Sequence, residues 1–338
     1  MRYRIGLIGA GFLAQAALLP ALTAVSDVFT VTAVLDPSAE ALGSVRAGFP
    51  DALTTGDADD FFASGLDAVH IATPNASHAP LASRALAAGL AVLVDKPLAD
   101  TVEAGASIVA AARASGGVAV VGYMSKYNAH NRAAAALISS GAIGEPRSMI
   151  GAFLGHHERD NWRMRRSESG LGCLGDLAIY PVVTAIDLFG CFPEECEATS
   201  YPADDPQLTE LHAQATVRFP GHRHLHLEVS FLTEPVNIES RYTVIGSAGT
   251  LVVRSAWNMN GGGRVLLCDA AGRRVISVRD VDPYVEQYRQ FAACMDGAPV
   301  PEQVSAERGL RDLAILTALQ RSAAAGHPLT LASATTPS

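Results

Sequence analysis

The chain has 338 residues, 49% of them hydrophobic and 17% charged, with a formal net charge of −9. That length suits two well-buried domains better than one, and the composition excludes a disordered chain. The acidic total argues against nucleic acid or an anionic membrane as a partner, because phosphate recognition needs clustered Lys and Arg.

The opening Met1-Arg2-Tyr3-Arg4 leads into a strand-like Ile5-Gly6-Leu7-Ile8. No charged segment followed by an apolar one marks a secretory leader, and no apolar run approaches the roughly 18–20 residues that span a bilayer. The five scattered cysteines, an odd number with no second Cys/His pair nearby, read as reduced thiols rather than a zinc site. A cytoplasmic protein is the expectation.

Residues 4 to about 122 alternate short β-rich apolar runs with Ala-rich stretches. The pattern predicts strands over 4–8, 30–35, 68–71, 91–94 and 118–121, and helices over 14–25, 79–88 and 101–114. Gly89 stands where a helix C-cap glycine belongs. Short buried strands alternating with helices give an α/β fold with a parallel sheet covered on both faces. Between the first strand and the first helix lies Gly9-Ala10-Gly11-Phe12-Leu13-Ala14, a G-x-G-x-x-A turn. Gly9 makes the tight bend, Gly11 lets the backbone approach a pyrophosphate, and the helix N-terminus supplies N–H donors. Asp36, ending the second strand, would accept hydrogen bonds from the adenosine ribose and repel a 2′-phosphate. No Arg or Lys lies between Pro37 and Val45, although Arg46 follows, so NAD is favoured and NADP stays open.

After Tyr123 the character changes. A helix over 131–140 ends near Gly141 and Gly144, a strand over 147–154 follows, and a polar stretch runs from His156 to Ser169. Longer alternating strands then run from about 196 to 282, among them 214–219, 222–232, 241–245, 250–254, 264–268 and 273–278. Their short connections make this sheet mostly antiparallel. Two helices, 284–295 and 306–325, close the chain, and disorder is expected after Leu331. The division expected is 1–122 for the dinucleotide and 123–338 for substrate binding and oligomerisation. His222, His224 and His226 alternate on one strand face opposite Leu225, Leu227 and Val229, which reads as an exposed sheet surface rather than a metal site.

Two segments carry proton chemistry, Asp95-Lys96-Pro97 and Asp176-Leu177-Ala178-Ile179-Tyr180. Hydride transfer to a carbonyl carbon leaves the oxygen in need of a proton from a donor within hydrogen-bond reach. Tyrosine, with an ordinary pKa of about 10, is a reluctant base, and a neighbouring ammonium stabilises its phenolate. Lys96 beside Tyr180 would do this, and would also steady developing oxyanion charge. Asp176 precedes Tyr180 by about one helical turn, so both are expected on one helix face. Asp176 is assigned to substrate hydroxyls, and His157 in the polar stretch is a candidate substrate contact.

Ile71-Ala72-Thr73-Pro74-Asn75-Ala76-Ser77-His78, Asp95-Lys96-Pro97-Leu98-Ala99 and the SSGAIGEP run over 139–146 together resemble the Gfo/Idh/MocA oxidoreductases. The similarity continues through Ile245-Gly246-Ser247-Ala248-Gly249-Thr250-Leu251 to residues 322–329. It implies an N-terminal Rossmann domain and a C-terminal α/β domain with a large open-faced sheet, whose open face commonly makes homodimers or homotetramers. It also implies that Thr73, Asn75 and His78 line the cofactor groove and that Asp95, Lys96 and Pro97 lie near the nicotinamide. Trp162 and Arg163 resemble a segment that reaches toward the cofactor.

Asp95 shortens that family's usual Glu by one carbon. In the catalytic segment Leu171, Ala178 and Tyr180 replace the commoner Gly, Gly and His. Tyrosine followed by Pro181 resembles the glucose–fructose oxidoreductase and dihydrodiol dehydrogenase branch, where tyrosine donates the proton. The implied activity is NAD(P)-dependent oxidoreduction of a sugar, a cyclic polyol or a nucleotide-linked keto sugar. An NAD-using glycosidase and a cofactor-sensing regulator share the implied fold and stand as alternatives.

Overall fold

The computed structural model describes residues 2–158, 161–201 and 208–331, so the disorder expected after Leu331 lies outside the described residues. Contacts divide the chain into two units, Met1–Met124 with Asp282–Leu310, and Ser125–Val281 with Arg311–Ser338. The expected division ran unbroken from 123 to 338, whereas Asp282–Leu310 is grouped here with the first unit.

The first unit is built on β1 (Tyr3–Ile8), β2 (Phe29–Leu35), β3 (Leu53–Thr55), β4 (Ala68–Ile71), β5 (Ala91–Asp95) and β6 (Ala119–Gly122). All pair in parallel, in the order β3-β2-β1-β4-β5-β6. The chain winds outward in both directions from the β1/β4 pair, which opens a crevice beyond their C-terminal ends. Side-chain oxygens of Ser38, Asp57 and Thr101 accept backbone N–H groups at the starts of the helices Ala39–Gly48, Ala58–Phe62 and Val102–Ser115.

The helix after β1 begins as a widened π-turn, Ala14–Leu18, before Leu19–Ala24. Pro20 supplies the reason. It has no N–H to give, and its ring would meet the Ala16 carbonyl in a regular α-turn. Within the same unit the helix Pro283–Met295 lays Tyr288 and Phe291 against Phe29, with ring centroids 6.0 and 6.1 Å apart.

The second unit carries β7 (Pro146–Leu154), β8 (Glu195–Tyr201), β9 (His212–Phe219), β10 (Arg223–Ser230), β11 (Glu239–Gly246), β12 (Gly249–Arg254), β13 (Arg264–Asp269), β14 (Gly272–Ile276) and β15 (Leu329–Thr330). Their order is β14-β13-β12-β11-β7-β10-β9-β8-β15. Only β7 and β10 pair in parallel. One face is covered by the helix Ile179–Phe189, whose Val182, Val183, Ile186 and Phe189 are buried.

Leu225, Leu227 and Val229 of β10 point into that core, while His226 and Glu228 are exposed, as period-two alternation requires. The strand starts at Arg223, so His222 is not on it as the alternation had suggested. It occupies the preceding turn with φ +58°. Among the described residues no single helix is long and apolar enough to cross a membrane, and no group of three or more His, Cys, Asp or Glu is placed to hold a metal ion.

Candidate functional site

In the first unit the turn after β1 and the loop after β4 meet at the reversal of strand order. Gly9 has φ +99°, and a Cβ there would sit 2.5 Å from the Ala72 carbonyl oxygen, so glycine alone lets the two loops pass. Gly11 faces open space and Phe12 is 76% exposed, with Leu13 half-buried, so the turn presents bare backbone. Asp36 accepts the Ala10 N–H at 2.7 Å through Oδ2 and the Ser38 N–H at 2.8 Å through Oδ1. Each oxygen keeps a second lone pair, so pinning the turn leaves room to accept ribose hydroxyls. A glycine cradle at a strand-to-helix turn beside a carboxylate fits a dinucleotide.

The resemblance puts His78 on the cofactor groove. It is 1% exposed, with Nδ1 3.0 Å from the Pro97 carbonyl oxygen and Nε2 3.0 Å from that of Thr73. Burial pushes its pKa down against the opposing pull of these carbonyls. The ring is therefore neutral, with one N–H to donate to one carbonyl at a time. His78 thus ties the loop after β4 to the loop after β5 from behind. Asn75 is also buried, whereas Thr73 is half-exposed, its Oγ1 2.7 Å from the Ser77 hydroxyl. Asp95 ends β5, Lys96 is half-buried, and the Lys96–Pro97 peptide bond is cis, with Pro97 buried.

In the second unit Asp176 and Tyr180 do not share one helix. Asp176 ends the single turn Cys173–Asp176, Tyr180 belongs to Ile179–Phe189, and the helical path bends by 44° at the break. Pro181 has no N–H for the Leu177 carbonyl, which takes the Tyr180 N–H at 3.2 Å, while the Ala178 N–H reaches back to Cys173. The four-residue spacing therefore does not carry the shared face expected of it.

The Tyr180 ring instead packs against Phe153 of β7 and Trp257, at centroid distances of 5.3 and 5.9 Å. Trp257 is held in turn by its indole N–H donating to the Thr184 hydroxyl at 3.2 Å. Gly151 allows this approach, since a Cβ there would meet the Pro181 Cβ at 2.8 Å.

Asp176 is 7% exposed. Arg163 Nε donates to its Oδ2 at 3.0 Å, and His157 Nε2 lies 3.5 Å from the same oxygen. The Arg163 guanidinium also lies over the Trp162 ring at 4.4 Å. The His157 ring stands edge-on to Phe231 at 4.7 Å, while His156 faces the Thr233 carbonyl and Glu158. Leu171 and Ala178 are buried, so those two departures alter packing beneath the site.

Phe153, Trp257 and Gly151, which seat Tyr180, belong to no sequence motif. Strand alternation puts Gly151 and Phe153 on one face of β7, but no spacing ties Trp257 to them.

Two family models match the chain. One, described as an oxidoreductase family with an NAD-binding Rossmann fold, covers residues 3–123, and the other, the GFO/IDH/MocA C-terminal domain, covers 131–252. The chain is 28% identical over 335 residues to 1,5-anhydro-D-fructose reductase of Ensifer adhaerens, spanning 96% of this chain and 97% of that one. It is 27% identical over 327 residues to D-xylose 1-dehydrogenase [NADP(+)] of Haloarcula marismortui, spanning 92% and 88%. In fold it resembles aldose-aldose oxidoreductase from Caulobacter crescentus complexed with glycerol, with a TM-score of 0.88 at 24% identity over 98% and 100% of the two chains.

Proposed function

Because the chain belongs to the Gfo/Idh/MocA family of oxidoreductases, we propose that it interconverts a hydroxyl and a carbonyl on a polyhydroxylated substrate: a sugar, a cyclic polyol or a nucleotide-linked keto sugar. The observation that carries this reading is Asp176, a nearly buried acid held by Arg163 at 3.0 Å and faced by His157 at 3.5 Å. Carboxylate, guanidinium and imidazole together offer both acceptors and donors, which suits hydroxyls that do both. The relatives named above act, by their names, on 1,5-anhydro-D-fructose and D-xylose, which are of this class.

A bound nicotinamide supplies or accepts the hydride. Tyr180 exchanges the proton with the substrate oxygen, and Lys96 assists it by stabilising the phenolate and the oxyanion. Asp176 orients substrate hydroxyls, with His157 as a further contact. Asp36 favours NAD over NADP by repelling a 2′-phosphate. The open face of the nine-stranded sheet joins copies of the chain into a homodimer or homotetramer.

Fluorescence-detected NADH and NADPH binding, followed by turnover of sugars, inositols and keto sugars, tests the reading. The expected result is tighter NADH binding, with turnover down ~100-fold or more in Tyr180→Phe and Lys96→Ala. Full turnover by Tyr180→Phe would remove the tyrosine from the reaction. Tighter NADPH binding would overturn the argument from Asp36.

A further inference from the structure

We infer that Glu210, with Thr209 beside it, is a positioning residue that sets Asp176 against Arg163. The inference rests on the reading of Asp176 given above. Glu210 is 4% exposed, yet its carboxylate is engaged at both oxygens. Oε2 accepts the Gly172 N–H at 2.9 Å, and Oε1 accepts the Gln320 side-chain N–H at 2.5 Å. Its backbone carbonyl accepts the Cys173 N–H at 2.8 Å. Gly172 and Cys173 begin the single turn that ends in Asp176, so Glu210 anchors that turn at its start.

The neighbouring Thr209 works on the other partner. It is 1% exposed, its hydroxyl donates to the Arg163 carbonyl at 2.7 Å, and its N–H donates to the Met164 carbonyl at 3.2 Å. Two adjacent residues therefore hold Arg163 on one side and the Asp176 turn on the other. The fit is close. A Cβ at Gly172 would run into the backbone of Glu210 and the Thr209 side chain, so the turn cannot settle nearer without moving them. The buried Cys173 thiol has its pKa raised well above the ordinary value, by burial first and then by the charges of Glu210 and Asp176.

Arg166 Nη1 also lies 3.9 Å from Oε1, a long and part-exposed ion pair, so what the turn needs from Glu210 is chiefly acceptor oxygen. In Glu210→Gln the remaining oxygen can accept from Gly172, and the Gln320 amide can turn to accept from the new amide. In Glu210→Leu the Gly172 N–H is left buried without a partner, and the turn shifts.

The test is steady-state kinetics and NADH binding on the full-length chain. The substrate probe is whichever of 1,5-anhydro-D-fructose (with NADH or NADPH), D-xylose and myo-inositol (each with NAD+ or NADP+) the unmodified protein turns over fastest. Asp176→Asn, Glu210→Leu, Glu210→Gln and Thr209→Val are compared at temperatures well below unfolding. Expected is a fall in kcat/KM of ~10- to 100-fold in Glu210→Leu, a smaller fall in Thr209→Val, near recovery in Glu210→Gln, and NADH affinity unchanged throughout.

A role confined to stability would move unfolding and leave that kinetic split absent. Wild-type kcat/KM in folded Glu210→Leu and in Thr209→Val, with Asp176→Asn impaired, overturns the inference and leaves the role of Asp176 standing. Should Glu210→Leu fail to fold, Thr209→Val decides alone. Wild-type kinetics in Asp176→Asn overturns the reading of Asp176 itself, and the inference with it.

Discussion

His70, on β4, has no exposed surface, holds Nδ1 2.7 Å from the Tyr288 hydroxyl, and has no hydrogen-bond partner at Nε2 among the described residues. Burial first, and the neighbouring His78 second, push its pKa down to about 3. The unfolded chain would protonate this ring near pH 6.5, the folded one not until about pH 3. Between those values the unfolded state binds more protons, so stability is full above pH 6.5 and is lost as pH falls through that window. His78, also lowered by burial, acts in the same direction. Urea unfolding at pH 7 and pH 5 should show the wild type losing about 2 kcal/mol more than His70→Gln on acidification. Equal losses in the two proteins would mean that the ring is not held neutral.

Elements were legible in the sequence where pattern and burial coincide. The core strands of the first sheet, Ala68–Ile71 among them, are apolar runs with turn residues at both ends, and they fold where the runs stand. Leu53–Thr55 escaped because it is three residues long with Leu53 exposed, and so has no buried run to read. Glu195–Tyr201 falls within the strand region expected from about 196 but has no sharp bounds in the sequence, because its buried Cys196 and Ala198 are small and alternate with polar residues. The tight turn after the first strand was readable from glycine spacing, and Gly9 makes it with φ +99°.

The surroundings of Asp176 were not readable. Pro181 breaks the helix that the spacing assumed, and an isolated Glu210 carries no motif. The seat of the Tyr180 helix has a consequence of its own. Gly151→Ala should push Pro181 away, costing about 1–3 kcal/mol of stability and lowering kcat with NADH affinity intact, as read by urea unfolding and kinetics. An unchanged kcat would show that the ring packing does not govern Tyr180.

At the scale of the whole molecule the second sheet has one face covered by a helix and the other open. On the open face Ile150 (44% exposed) and Ile245 (39%) share a surface with Thr243, Thr216 and His226, as the β7–β11, β7–β10 and β9–β10 registers require. If that surface joins copies of the chain, a charge at its centre must be desolvated on association, at a cost of several kcal/mol. Sedimentation velocity should therefore show an assembled wild type and a dissociated Ile150→Asp, with NADH binding retained in both. The same sedimentation coefficient in both would place the interface elsewhere.

The return of Asp282–Leu310 to the first unit gives the chain a temporal order as well as a spatial one. Phe29, 1% exposed in the finished fold, owes part of its cover to Tyr288 and Phe291, which follow it by more than two hundred and fifty residues. At about 5–20 residues per second, a ribosome takes on the order of ten to fifty seconds to deliver that cover. Until then the dinucleotide unit emerges with one flank bare, and the intervening sheet is synthesised in its presence. No single contiguous stretch of the gene encodes the whole of the first unit.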